Sequence, residues 1–184
     1  MYYEKARRAL EAIEKQIEGL DRRIVESRQA GIDAGALVGV ERGLAEIRDA
    51  MHGLMPAENL YIALYNLGSG LLEFPYFRDV HDTAPAPRKL GRGLTEYVLR
   101  TGQPLLASPQ VFDQLVASGE VEQLGSLSID WLGVPLKIRG ATIGALVVQS
   151  YAEDVRYGEA EQRILEFVST QVAMAIQHKR AEEA

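Results

Sequence analysis

From Tyr3 onward the apolar or small residues fall at Tyr3, Ala6, Leu10, Ile13, Ile17, Leu20 and Ile24, in alternating steps of three and four. That is a heptad seam, narrower than the stripe of an ordinary amphipathic helix, and Glu11, Glu14, Lys15, Glu18, Arg22 and Arg23 surround it. A seam of this kind over residues 1–30 predicts a helix that pairs with another helix, for which a second copy of the chain is a candidate. The plainer alternative is a solvated helix lying on its own domain. Gly31, Gly35 and Gly39 interrupt the pattern, and helical spacing resumes at Val40, Leu44, Ile47, Met51 and Leu54.

Beyond Pro56 the period changes from helical to extended. Leu60–Asn66 and Leu71–Arg78, separated by Leu67-Gly68-Ser69-Gly70, predict a β-hairpin. Pro75 has no N–H to give to a ladder, so the second arm belongs at a sheet edge with that position outward, and the first arm can be more central. Residues 81–92, with Pro85, Pro87 and Gly91 among polar neighbours, predict a surface loop of a length that often covers sites. A short helix from Leu94 to Arg100 should stop at Gly102, before Pro104, and Leu105–Ala107 read as a short strand. Ser108 and Pro109 offer the cap and first position of another helix, ending near Ser118 and Gly119.

The strongest strand signals are Trp131–Ile138 and Thr142–Tyr151, on either side of Arg139-Gly140-Ala141. They predict a central hairpin, and their near-continuous apolar character predicts a sheet covered on both faces. Gly158, Glu159 and Glu161 open a last helix whose apolar face runs through Ile164, Leu165, Phe167, Val168, Val172, Ala175 and Ile176. His178, Lys179 and Arg180 suit its negative end. The order of elements predicts an α+β fold with helices on one face of the sheet and loops on the other.

Composition narrows the function more than the fold. The 184 residues, 47% hydrophobic and 25% charged, suit one sizeable domain. A net charge of −6 argues against a phosphate-backbone partner, so no nucleic acid is expected. No apolar run nears the roughly 20 residues that span a bilayer, and Tyr2 to Arg8 do not open a signal peptide. The expectation is a cytoplasmic protein without membrane insertion. The sequence has no cysteine, which removes disulfides, thiolate zinc sites, a cysteine nucleophile and thioether-linked chromophores.

Three groups of residues together resemble a known family. They are Leu60-Tyr61-Ile62-Ala63-Leu64-Tyr65-Asn66, then Gly91-Arg92-Gly93-Leu94-Thr95-Glu96-Tyr97-Val98, and then Trp131-Leu132-Gly133-Val134-Pro135-Leu136 with Ile143-Gly144-Ala145-Leu146-Val147-Val148-Gln149-Ser150-Tyr151. With the closing helix they resemble a GAF domain, nearest to those of bacterial sensor histidine kinases and diguanylate cyclases, over residues 40–184. The resemblance implies a GAF-like (profilin-like) antiparallel sheet of five or six strands. Terminal helices would pack on one face, and loops and short helices would cover a cavity on the other. It also implies dimerisation through the terminal helices and, beyond the closing helix, an output domain. Cyclic-nucleotide-binding members carry an Asn-Lys, Phe and Asp-Glu signature absent here, where Leu67 follows Asn66. Members that reduce methionine sulfoxide or attach bilins depend on cysteines that this chain lacks.

Candidate ligand contacts follow from strand alternation and from the resemblance. Ala145, Val147, Gln149 and Tyr151 share one sheet face, which the resemblance turns toward the cavity. Tyr61, Tyr65 and Tyr76 are candidates for aromatic walls with polar tips, although Tyr65 and Tyr151 equally suit the wet rim of a sheet. Arg92 between two glycines could meet an anion; the glycines alone explain the entry to a helix. Glu96 either faces the cavity or sits as a common first-turn carboxylate, and Trp131 either stacks on a ligand or plugs the core. His52, His81 and His178 show no metal-ligand spacing, so no metal is expected, and His81 in the covering loop carries the minor alternative of a haem ligand. No serine sits in a nucleophile elbow and no phosphate-binding Gly-rich loop is present, so no catalytic residue is assigned. The expectation is a regulatory module that is not itself an enzyme and binds an unidentified small molecule. Its rival is a structural dimerisation domain whose cavity its own side chains fill.

Overall fold

The computed structural model describes residues 51–183 together with Lys15, Ala45 and residues 47–49. The heptad seam, the glycine break and most of the helix expected after it lie outside the described residues. The chain divides into two compact units, Met1–Ala57 and Glu58–Ala184. In the first, the described helical residues end at His52, and the Met51 carbonyl accepts from the N–H groups of Leu54 (2.8 Å) and Met55 (2.9 Å) as the chain turns. The helix therefore stops short of Leu54, where Gly53 and Pro56 both oppose its continuation.

The second unit holds β1 (Asn59–Asn66), β2 (Leu71–Arg78), α1 (Leu94–Thr101), β3 (Leu105–Ala107), α2 (Pro109–Ala117), β4 (Asp130–Ile138), β5 (Ala141–Ser150) and α3 (Glu159–Glu183). The strands form one five-stranded antiparallel sheet in the order β2-β1-β5-β4-β3. The β4–β5 turn is tighter than the sequence suggests, because Ala141 pairs with Ile138 and leaves Arg139 (φ 50°) and Gly140 (φ 81°) as its corner. Two successive positive φ values are what a two-residue hairpin needs to match strand twist.

Pro75 lies exposed on the edge strand β2, as its missing N–H requires. It also sits in a bulge: Ile62 pairs with Tyr76 and Leu64 with Glu73, so Phe74 and Pro75 together oppose Ala63. The bulge reverses the alternation of β2 partway along, with consequences for the site.

Two layers cover the sheet. On one face Ile62, Leu132, Val134, Leu136, Leu146 and Val148 are buried, and α3 lies along β4, burying Leu165, Val168 and Val172. Each such side chain contributes roughly 1.5–3 kcal/mol of burial. On the other face Tyr61, Ala63, Trp131, Ala145 and Val147 form a core with Leu72, Val98 and Ala107, where α1 packs. The caps follow local chemistry. Gly102 closes α1 in the left-handed region (φ 62°), and Ser108 Oγ accepts from the Val111 N–H (3.3 Å) ahead of Pro109. The Glu161 carboxylate accepts from the Gly158 N–H (2.8 Å) at the start of α3. No helix among the described residues is long and apolar enough to cross a membrane.

Candidate functional site

A cavity of about 550 Å³ opens on the sheet face opposite α3. Tyr61, Trp131 and Gln149 reach it from the sheet, Phe74 and Phe77 from the edge strand, and residues 93–96 from the first turn of α1. Two loops roof it. The Asp82 carboxylate pins one to the other, accepting from the Ser126 N–H (3.0 and 3.3 Å) and from Ser126 Oγ (2.8 Å). The size suits a small organic molecule.

The aromatic wall is ordered by both shape and hydrogen bonds. Tyr61 stacks on Phe77 (centroids 5.1 Å apart, planes at 21°), and Phe74 stands nearly perpendicular to Phe77. The Tyr61 hydroxyl receives Trp131 Nε1–H (3.3 Å) and shares a hydrogen bond with Thr95 Oγ1 (2.9 Å). Burial pushes the Tyr61 phenol up to about 12, only partly opposed by its bonds to Thr95 and Trp131. It therefore remains a neutral wall. Trp131 folds back across its own strand over Gly133, where a Cβ would stand 2.2 Å from the indole Cη2. Gly133 is thus the space that lets the indole line the cavity.

Glu96 is the buried charge of the site, only 4% exposed. Its Oε1 meets Arg88 Nη1 and the Gly91 N–H (3.1 Å), and Arg88 lies 5.7 Å over the Phe74 ring. Its Oε2 is buried with no hydrogen-bond partner. An orphaned buried carboxylate oxygen is costly, so the arrangement has unspent capacity to accept a donor. Gly93 makes room for it, since a Cβ there would sit 2.8 Å from Oε2 and 2.9 Å from Leu124 Cδ1.

At the opposite end Gln149, a lining residue, donates Nε2–H to Asp79, whose carboxylate also accepts from the Tyr151 hydroxyl (3.0 Å to each oxygen) and from the N–H groups of His81 and Asp82. Burial first, then the bond to Asp79 and its charge, raise the Tyr151 phenol far above its ordinary value. The His81 ring stands edge-on to Tyr151 (4.3 Å) and is not among the cavity's lining residues. Among the described residues, no group of His, Asp and Glu side chains is arranged to hold a metal ion.

Of the residues singled out in the sequence, the structure brings Tyr61, Glu96, Trp131 and Gln149 to the cavity. Tyr65, Tyr76, Arg92, Val147 and Tyr151 are not on its wall. Tyr65 pairs with Leu72 near the hairpin turn, at the far end of β1. Tyr76 would share the cavity face under strict alternation, but the bulge gives that face to Phe77, the partner of Tyr61, and pairs Tyr76 with Ile62 on the α3 side. Arg92 is half exposed and reaches Glu122 (3.5 Å) instead. Val147 packs into the core cluster, and Tyr151 serves the Asp79 carboxylate. Among the residues that sequence reasoning missed are Arg88, Asp82, Phe74 and Phe77. Phe74 and Phe77, on an aromatic-rich strand, carried a signal; the two loop residues are placed by the Leu72–Arg88 bridge and by Ser126, which are non-local.

An antiparallel sheet backed by a helix, with a loop-roofed cavity on its other face, defines an α+β fold with room for a small molecule. A family model described as a GAF domain matches residues 40–177, and the chain belongs to that family. Solved structures agree on the fold. The chain is similar to the GAF domain of a phosphoenolpyruvate-protein phosphotransferase from Coxiella burnetii (18% identity, 95% of this chain and 98% of that one, TM-score 0.65). It is also similar to free methionine-R-sulfoxide reductase from Neisseria meningitidis in complex with its substrate (16%, 95% and 91%, TM-score 0.66). A third is residues 122 to 287 of a methyl-accepting chemotaxis protein (16%, 90% and 99%, TM-score 0.62). At these identities the likeness speaks for fold alone. No curated protein matches the chain in sequence.

Proposed function

We propose that this GAF domain is a sensory module: a small molecule occupies the cavity, and its presence changes how the sheet holds the terminal helices. The observation that carries this reading is the cavity itself, walled by aromatic rings and edged by a few fixed polar groups, with one buried carboxylate oxygen left unpartnered. Strand alternation gives the route outward. β5 presents Gln149 to the cavity and Val148 and Leu146 to the layer beneath α3, so a shift of one strand is felt on both faces. A ligand moves such an equilibrium only by binding the two packings unequally.

In this reading the heptad seam of residues 1–30 and the closing helix pair with those of a second copy, and the module acts within a bacterial signal-transduction protein of the histidine kinase or diguanylate cyclase type, in the cytoplasm. The heptad spacing of the seam, which suits pairing with a second helix, supports it. Several structural neighbours are named as sulfoxide reductases, an enzymatic use of the same fold. We favour regulation because this chain has no cysteine to carry a thiol step.

Native mass spectrometry of the purified chain, before and after denaturation, tests the reading. A bound mass released on unfolding supports it. A bare chain from several expression hosts, with no shift in melting temperature across a metabolite library, overturns it in favour of a self-filled structural domain.

A further inference from the structure

Resting on the sensory reading, we infer that the cavity selects a small organic cation: an N–H-bearing ammonium or amidinium group on a flat apolar body. The chemistry of the lining points there. Asp82, Glu96, Asp113 and Glu122 line the cavity; Arg88 pairs with Glu96 and Arg92 with Glu122 (3.5 Å), which leaves Asp82 and Asp113 as its excess of negative charge. Arg88 is already committed, held to Glu96 Oε1 and resting over Phe74. The other oxygen of Glu96 is buried and lacks a donor. A ligand N–H delivered there satisfies an acceptor that the protein leaves open, and a charged donor gains most because the carboxylate is withheld from water.

The apolar half of the site suits the same ligand. Tyr61, Phe74, Phe77 and Trp131 present ring faces and edges, and aromatic faces attract cations and flat hydrocarbon alike. Access to Glu96 Oε2 lies past Leu124. That side chain lies with Oε2 against the position a Cβ on Gly93 would take, is half exposed, and belongs to the roof that Asp82 and Ser126 pin across the mouth. One feature opposes the assignment. The first turn of α1 lines the cavity with no side-chain cap, and its N–H groups favour an anion. Glu96 already occupies that turn as its complementary charge, which leaves the balance with the cation.

The single tryptophan of the chain lines the cavity, so its fluorescence reports occupancy directly. Three probes of one shape, phenethylammonium, 2-phenylethanol and 3-phenylpropionate, are titrated into the full chain. The expected result is saturable change with phenethylammonium at a Kd at least about tenfold below those of the other two, and loss of that preference in Glu96→Gln. Equal or tighter binding of the alcohol or the propionate overturns the cation assignment while leaving the cavity a ligand site. A preference that survives unchanged in folded Glu96→Gln overturns the role of Glu96 and with it the inference. Silence from all three at millimolar concentration overturns it as well, and the sensory reading is then judged separately by native mass spectrometry. Because the probe series is decided on the unaltered chain, the inference remains falsifiable even where Glu96→Gln does not fold.

Discussion

The Tyr61 hydroxyl satisfies two partners at once, Trp131 Nε1–H and Thr95 Oγ1, at the centre of the cavity wall. Tyr61→Phe removes it without changing the ring's shape, leaving the indole N–H without an acceptor, and should cost about 1–2 kcal/mol in chemical denaturation. The same group carries a pH signature. Its folded value, raised to about 12 from an ordinary 10, means the folded state keeps a proton that the unfolded chain gives up. The stabilisation is fully present below pH 10 and is lost as pH rises through 12, roughly 1.4 kcal/mol per pH unit within that window. Tyr61→Phe should remove its share of the alkaline loss, while Tyr151 and Tyr157, whose phenols burial also raises, keep theirs; unchanged steepness in the variant would refute the assignment. Gly133→Ala is the sharper steric test. Its methyl would overlap the Trp131 indole, and the ring must leave its place. The expected outcome is a shifted tryptophan emission and about 1–3 kcal/mol of destabilisation, and a native-like spectrum would mean that the strand yields instead.

Among elements, the two roof loops are held to each other by the Asp82 carboxylate and Ser126. Asp82→Ala removes every acceptor that Ser126 uses on the opposite loop, while the sheet beneath keeps its ladders. Backbone amides of residues 122–128 should then exchange hydrogen at least about tenfold faster, with global unfolding changed by under about 1 kcal/mol; unaltered protection would show that the pin is idle. The contrast between roof and sheet also explains what the sequence made legible. Both hairpins, the exposed Pro75, the αL Gly102 and the Ser108 cap were readable because each depends on residues within a few positions of one another. The cavity wall was readable only in part. A single bulge at Phe74 and Pro75 exchanged Tyr76 for Phe77, and alternation alone has no signal for a bulge. Arg88 rather than Arg92 serves the site because the isolated bridge to Leu72 fixes the loop there, a pairing across sixteen positions that neither charge nor glycine spacing announces.

For the whole molecule, the proposed function needs a connection between cavity occupancy and another copy of the chain, and the sequence offers the heptad seam as its carrier. A seam of about three heptads is marginal as an isolated coiled coil. Its pairing free energy is then comparable to the few kcal/mol that separate two packings of a sensory domain, a balance that lets either one bias the other. A far stronger coiled coil would lock one state, and a far weaker one would carry nothing. Deleting Tyr3 to Ile24 should therefore convert a dimer into a monomer in analytical ultracentrifugation at micromolar concentration, while the domain keeps its fold and its cavity keeps its tryptophan response. The sheet, α1 and α3 have cores of their own within Glu58–Ala184, so the deletion has no reason to unfold them. A deleted chain that stays dimeric with an unchanged dissociation constant would place the pairing elsewhere and remove the seam from the signalling route, whereas a monomer that no longer folds would show that association supplies part of the domain's stability.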